Sequence, residues 1–317
     1  MSLGCQSKPR AIIAWHHPDF AAPLGHDAIM PMRKFADVAQ AVAGLGTVLR
    51  SPEPIPDPDL LRVHSRDYVN AVRTGTPREL AQSQKFAWSP QLYRSVCLTN
   101  GAVLAAGTEA LDCGVAAAVA SGFHHAHELR GEGFCTFNGL VVAAEVLRAK
   151  GRIRTAAVLD LDLHYGNGTA SLVVSRPWMR ALSIYGNDYA DNQAFRDVSV
   201  MRHSDGWNHR SAALPAGSGR SELLSTLQAQ LPWLVADGIP DLLLYQAGAD
   251  PYREDPYSPL SLEIEDLRER DRWVFRFAWE HRIPIAWVLA GGYTRDLSKV
   301  VQIHVNTFKA AKEIYGI

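Results

Sequence analysis

The sequence predicts a single α/β domain, residues 1–317, built on an open and mostly parallel β-sheet with helices on both faces. Three observations carry that expectation. Apolar runs of strand length recur from one end of the chain to the other, and helix-like amphipathic segments separate them. The runs are also nearly continuous in apolar residues rather than alternating. A continuous run is how a strand buried on both faces reads, and strand–helix alternation favours a parallel sheet covered on both sides.

Along the chain, MSLGCQSKPR lacks the apolar run of a signal peptide, and the first apolar stretch, AIIAW (11–15), is strand-sized. SPEPIPDPD (51–59) breaks both helix and sheet with its prolines and reads as a surface loop. Ser89-Pro90 sets a capping side chain before a proline at the first helical position, opening a long helix towards Leu111. The next strands are VAAAVA (115–120), TAAVLDL (155–161) and RALSIY (180–185). Ser221 opens a helix expected to close at Gly238, with Pro240 just beyond. DLLLYQA (241–247) follows as a strand, then a helix from about Ile264 to His281 ended by Pro284, then the strand IPIAWVLA (283–290).

Lys and Arg total 32 against 33 Asp and Glu, a net charge of −1 that excludes a basic nucleic-acid binder and a polyacidic tail as the dominant feature. The hydrophobic content of 47% is enough for a large core. Length alone would suggest two domains, but no repeat, low-complexity tract or linker divides the chain. No segment approaches the ~20 apolar residues needed to cross a bilayer. The four cysteines (Cys5, Cys97, Cys113 and Cys135) form no CxxC pair, which argues against a thiolate zinc site. They read as packed thiols of a reduced, cytoplasmic protein.

Polar residues fall at the ends of four strands. VAAAVA leads to His124 and His125, TAAVL to Asp160, Asp162 and His164, DLLLYQA to Asp250, and IAWVLA through Gly291-Gly292 to Tyr293. Open parallel sheets bind ligands beyond the carboxyl ends of their strands, so these residues describe one pocket. In an extended chain Asp160, Asp162 and His164 share a face. At about 3.3 Å per residue, Asp162 and His164 are close enough to grip one ion, whereas Asp160 lies about 10 Å from their midpoint and falls behind them. Asp250 supplies a third ligand, and an Asp-His-Asp set leaves a position open for water, as a catalytic site does.

A capped, solvated loop is the competing reading of this DxDxH string taken alone. Buried carboxylates without a partner are costly, and the matching positions of His124, His125 and Asp250 weigh against it. Both histidines of the pair can face one site only from an irregular loop, which Gly122, Gly131 and Gly133 permit. His127 reads as a bystander. Tyr293 is either an interface aromatic or a hydroxyl donor to a carbonyl oxygen. Trp88, Phe134 and Phe137 are either core or pocket wall.

Together, GFHHAHELRGEGFCTFNG (122–139), VLDLDLHYGNGT (158–169), QAGADPYREDP (246–256) and LAGGY (289–293) resemble the histone deacetylase and acetylpolyamine amidohydrolase family. PMRKF (31–35), LLRVHSRDYV (60–69) and FAWSPQL (86–92) extend the likeness over nearly the whole chain, and GFHHA with PMRKF leans towards class IV and bacterial deacetylase-like members. The resemblance implies an arginase/deacetylase-like sheet and a metal-dependent amidohydrolase that removes acyl groups from acyl-lysine or an acetylated polyamine. It implies that Asp162, His164 and Asp250 bind Zn2+, with Fe2+ as the alternative. His124 and His125 would be the general acid/base pair, Asp160 would support His124, and Asn167 would back His125 where some members have aspartate. Asparagine there should leave His125 less biased towards its charged form. Tyr293 would polarise the scissile carbonyl, Phe134 and Gly133 would line the acyl channel, and a structural K+ would sit near Asp160 and Ser183.

The implied partner is a small acyl-amine or acyl-lysine substrate, with no direct nucleic-acid contact and no membrane; natural substrate and oligomeric state stay open. Tyr165 stands where many relatives carry a second histidine, and no rim carboxylate for the substrate backbone can be assigned. Two other readings remain at this point. A ureohydrolase-like dimetal enzyme needs a further aspartate that Tyr165-Gly166-Asn167-Gly168 lacks, and a non-catalytic acyl-amine binding module would have no use for His124, His125 and Tyr293.

Overall fold

The computed structural model describes residues 10–22, 32–198 and 206–317. Cys5, most of the N-terminal decapeptide and Pro31 of the PMRKF block lie outside the described residues. In chain order the strands are β1 (Ile13–Trp15), β2 (Val48–Arg50), β3 (Val115–Ala118), β4 (Ala156–Asp160), β5 (Met179–Tyr185), β6 (Asp188–Ala190), β7 (Gln193–Phe195), β8 (His209–Ala213), β9 (Leu242–Gln246) and β10 (Ile285–Val288). Eight of them form one sheet in the order β2-β1-β3-β10-β9-β4-β5-β8. Every pairing in it is parallel, and β6 and β7 make a separate antiparallel hairpin.

All six predicted strands are present, five of them trimmed at their ends and β5 longer by Met179. Strands β2 and β8 were not foreseen. Both are edge strands with partial or full exposure, so neither carries the continuous apolar run that marks a buried strand.

Alternation along the strands sends side chains to two helical layers. Tyr245 and Trp287 are register partners on one face and meet Phe275 and Phe308 edge-on. These aromatics belong to the helices Ile264–Glu280 and Leu297–Tyr315. On the opposite face Leu242 approaches Gly107 of the helix Pro90–Cys113, which also packs on Leu147 of Gly139–Ala149. Ser89 caps the long helix through the Leu92 N–H and Pro90 fills its first position, as the sequence indicates. The C-terminal helix Leu297–Tyr315 was not read from the sequence, although Asp296 caps its start and Gly316 turns left-handed at its end.

Two other expectations change in detail. The helix expected from Ser221 to Gly238 runs as α-helix only over Arg220–Gln230 and tightens to a 3-10 helix over Leu231–Val235. Pro232 lacks the N–H that would continue the α pattern. The proline-rich stretch is less superficial than predicted, since Pro52 and Ile55 are buried. A Cβ on Gly101 would meet the Glu53 carbonyl, so the loop lies directly on the long helix, and its end forms one helical turn, Asp57–Leu60.

Candidate active site

Strands β3, β10, β9 and β4 are consecutive neighbours in the middle of the sheet, so their carboxyl ends converge and bring the predicted residues together. Strand β4 ends at Asp160, and Asp162 and His164 lie in the irregular segment beyond it. The pair is therefore gathered by a bend, not by the straight extended chain that the spacing argument used.

The ligand atoms of Asp162, His164 and Asp250 lie within 4.8 Å of one another and all three residues are buried. His164 Nδ1 is 3.3 Å from Asp162 Oδ1 and 3.3 Å from Asp250 Oδ2. Backbone donors hold the carboxylates in place. Asp162 Oδ1 accepts the His164 N–H (2.9 Å), Asp162 Oδ2 the Gly291 N–H (2.8 Å) and Asp250 Oδ1 the Leu163 N–H (3.0 Å). Asp250 Oδ2 is buried and receives no hydrogen bond.

Burial opposes charging of His164, but the two carboxylates outweigh it and push its pKa up to about 10. Burial and the neighbouring Asp162 charge push Asp250 up to about 6. Such a cluster favours a cation at its centre, and two oxygens with one imidazole nitrogen suit a divalent ion with an open position. It is the only cluster of this kind among the described residues.

Asp160 stands behind the cluster, as the distance argument expects. Its Oδ2 is 2.8 Å from His124 Nδ1 and its Oδ1 accepts the Asp162 N–H. Burial opposes protonation of His124, yet the charges of Asp160 and Asp162 hold it above its ordinary value. His124 Nε2 is 3.8 Å from Asp162 Oδ1. The His124 and His125 rings lie 3.9 Å apart on the loop after β3, where Gly122 is left-handed.

His125 has a different partner. Its Nδ1 is 2.7 Å from Asn167 Oδ1, and that same oxygen accepts the Gly168 N–H. The second bond fixes which amide atom is the oxygen, so Nδ1 carries a proton, and in the neutral ring Nε2 keeps its lone pair. Burial and the charges of His124 and His164 hold His125 well below its ordinary pKa. The tandem pair is thus split into one imidazole biased to be charged and one biased to be neutral.

Phe134 is half-buried and its ring lies 5.3 Å from that of Phe86. A Cβ on Gly133 would lie 2.4 Å from His125 Cδ2, so only glycine leaves that imidazole room. Phe137 is fully buried between His64 and Tyr68 and belongs to the core. The Trp88 indole bonds the Val72 carbonyl, and His127 bonds Ser171 and Glu132, with its Nε2 3.4 Å from Asn167 Nδ2. Tyr293 donates its N–H to Asp255 Oδ2. Burial and the charges of Asp250 and Asp162 push its phenol well above the ordinary range, so it stays a proton donor. Ser183 is the register partner of Asp160.

Four residues that shape the site were not read from the sequence. Tyr189, on the β6–β7 hairpin, stacks on His125 at 3.9 Å. Buried Arg270 donates to the carbonyls of Leu161 and Gly248, bracing the two strand ends that carry Asp162 and Asp250. Buried Lys34 donates to the Ala290 carbonyl at 2.6 Å. Asp255 is the fourth. Only Lys34, within PMRKF, and Asp255, within the Asp250 block, stand in stretches that the sequence marks out.

Among the described residues no helix is long and apolar enough to cross a membrane. An uncharacterized protein of Picosynechococcus is 28% identical over 307 residues, covering 95% of this chain and 98% of its own. A histone deacetylase-like amidohydrolase of Pseudomonas aeruginosa is 28% identical over 299 residues, covering 88% and 75% respectively. The crystal structure of an acetylpolyamine aminohydrolase from Burkholderia pseudomallei superposes with a TM-score of 0.78 at 20% identity, covering 96% of this chain and 99% of the other, and so shares the fold. Residues 29–308 match the histone deacetylase domain, and with the converged strand ends already described, the chain belongs to the histone deacetylase family of acyl-amine hydrolases.

Proposed function

We propose that this chain is a zinc-dependent deacetylase of one catalytic domain, residues 1–317, with Asp162, His164 and Asp250 holding the ion. Fe2+ is the alternative metal, and a structural K+ beside Asp160 and Ser183 belongs to the same proposal. The observation that carries it is the buried Asp-His-Asp cluster with His125 beside it, its Nδ1 held 2.7 Å from Asn167 Oδ1. The ion, when bound, acidifies a water and polarises the acyl oxygen. His125 Nε2 takes the proton of the attacking water and passes it to the leaving amine, a positioned transfer that contributes typically about 10²–10⁴-fold. His124, charged against Asp160, stabilises negative charge growing beside it. The Tyr293 hydroxyl donates to the oxyanion, while Phe134 and Gly133 line the acyl channel. The substrate class is acyl-lysine or an acetylated polyamine. A reduced, cytoplasmic setting belongs to the same proposal, in keeping with Cys97 and Cys135 as buried, packed thiols.

The test is Tyr293→Phe, assayed on acetyl-lysine peptides, longer acyl-lysines and acetylated polyamines. Loss of one oxyanion donor should cut kcat by about 10²–10³-fold, with one ion per chain retained. Unchanged kcat would remove Tyr293 from the reaction.

Asn167→Asp gives a second check, on the base. An anionic partner favours the charged imidazole, so the His125 pKa should rise by about 1 unit. A base must be neutral to act, and the acid limb of kcat/KM should therefore move to higher pH by a similar amount. A limb that stays put would show that some other group titrates there.

A further inference from the structure

We propose that Asp255 is a positioning residue for Tyr293, an inference that rests on the role given to Tyr293 above. Tyr293 follows Gly291-Gly292 in a segment with no regular secondary structure, and Gly292 has a φ of 147°. Such a backbone is loose unless something pins it. Gly291 is held by its own N–H and carbonyl, and beyond Gly292 the pin is Asp255, only 3% exposed. Its Oδ2 accepts the Tyr293 N–H at 2.7 Å and its Oδ1 accepts the Tyr257 N–H at 3.1 Å. Its own backbone is fixed in turn, with its N–H on the Tyr252 carbonyl and its carbonyl accepting the Ser258 N–H.

The two tyrosines that Asp255 holds face each other edge-on at 5.3 Å, and Tyr257 meets the His164 ring edge-on at 6.2 Å. One carboxylate therefore ties the loop after β10, which carries Tyr293, to the loop after β9, which carries Asp250. Burial and the nearby Asp250 charge push its pKa up to about 7. A carboxyl kept at such a place costs stability, and what it secures is the placement of two aromatic side chains over the cluster.

The experiment uses the metal-loaded full chain and an acetyl-lysine peptide. Asp255→Asn leaves one acceptor oxygen and turns an amide donor towards one of the two N–H groups. The expected result is a kcat lowered about 10–100-fold, KM within about threefold and one ion per chain retained. In the Tyr293→Phe background the same change should cost less than about twofold, because both substitutions act through one hydroxyl. In the unmutated enzyme, labelled with 15N-tyrosine, the Tyr293 amide should exchange slowly despite lying in a loop, and this holds even if the variant fails to fold. Equal losses in both backgrounds, loss of the ion, or fast exchange of the Tyr293 amide would each overturn the proposal. Full turnover in Tyr293→Phe alone would instead remove the oxyanion role of Tyr293, and with it the function that Asp255 serves.

Discussion

His164→Ala should strip the ion from the protein and lower turnover by more than about 10³-fold. Losing a residue that merely orients a metal ligand typically costs about 10–100-fold in affinity or activity, and His164 is proposed as a ligand itself, the only nitrogen in the set. Its removal also leaves Asp162 and Asp250 buried with their ligand atoms within 4.8 Å of each other and no cation between them. Like charges that close cannot both ionise, so the pair would hold a proton and lose the anionic oxygens that a divalent ion needs. Metal analysis after gel filtration, set beside kcat on one acetyl-lysine peptide, provides the measurement. Thermal unfolding should also change its response to metal. The unmutated chain gains about 4 kcal/mol when zinc stands at 1,000 times its Kd, and the variant should gain almost nothing. One ion per chain in the variant would take His164 out of the coordination set.

Much of this centre was legible before any coordinates, and the reason is physical. A strand buried on both faces has no use for Asp160, Asp162, His164, Asp250 or Tyr293, so their appearance at the ends of apolar runs marks the one edge of the sheet where polar groups are tolerated. Asp160 also stands apart from the cluster of Asp162, His164 and Asp250, as its distance along the chain suggests, although the chain bends after Asp160 and the straight-strand premise does not hold. What stayed hidden has no local pattern. Arg270 lies inside a helix among other charged residues, and nothing in that run tells which arginine turns inward to the Leu161 and Gly248 carbonyls. Tyr189 sits on a three-residue strand of an isolated hairpin. The edge strands β2 and β8 lack the burial that makes their neighbours readable. Asp255 stood within a recognised block, but its carboxylate bonds only backbone N–H groups, and no residue type in the sequence signals such a partner.

The second large effect is expected from a residue with no functional group at all. Gly291→Ala should lower zinc affinity at least about 100-fold, a loss of the size that follows damage to a ligand's supporting contacts. A Cβ on Gly291 would stand 2.0 Å from Asp250 Oδ2, 2.4 Å from its Cγ and 2.8 Å from Asp162 Oδ2. Carbon and oxygen settle near 3.5 Å, so the Asp250 carboxylate would have to retreat by about 1 Å or more. Bonds from zinc to carboxylate oxygen are only about 2.0–2.2 Å long, and a shift of that size breaks one. The backbone cannot yield instead, because the Gly291 N–H is bonded to Asp162 Oδ2 and its carbonyl accepts the Ala249 N–H. Gly151→Ala is the matched control. That glycine is left-handed, with a φ of 69°, but nothing lies within 4 Å of its added Cβ, so it carries backbone strain without touching a ligand. Chelator competition should therefore separate the two variants, with Gly151→Ala binding zinc as the unmutated chain does and Gly291→Ala far more weakly. Equal affinities would mean that Asp250 Oδ2 is not where the ion is held.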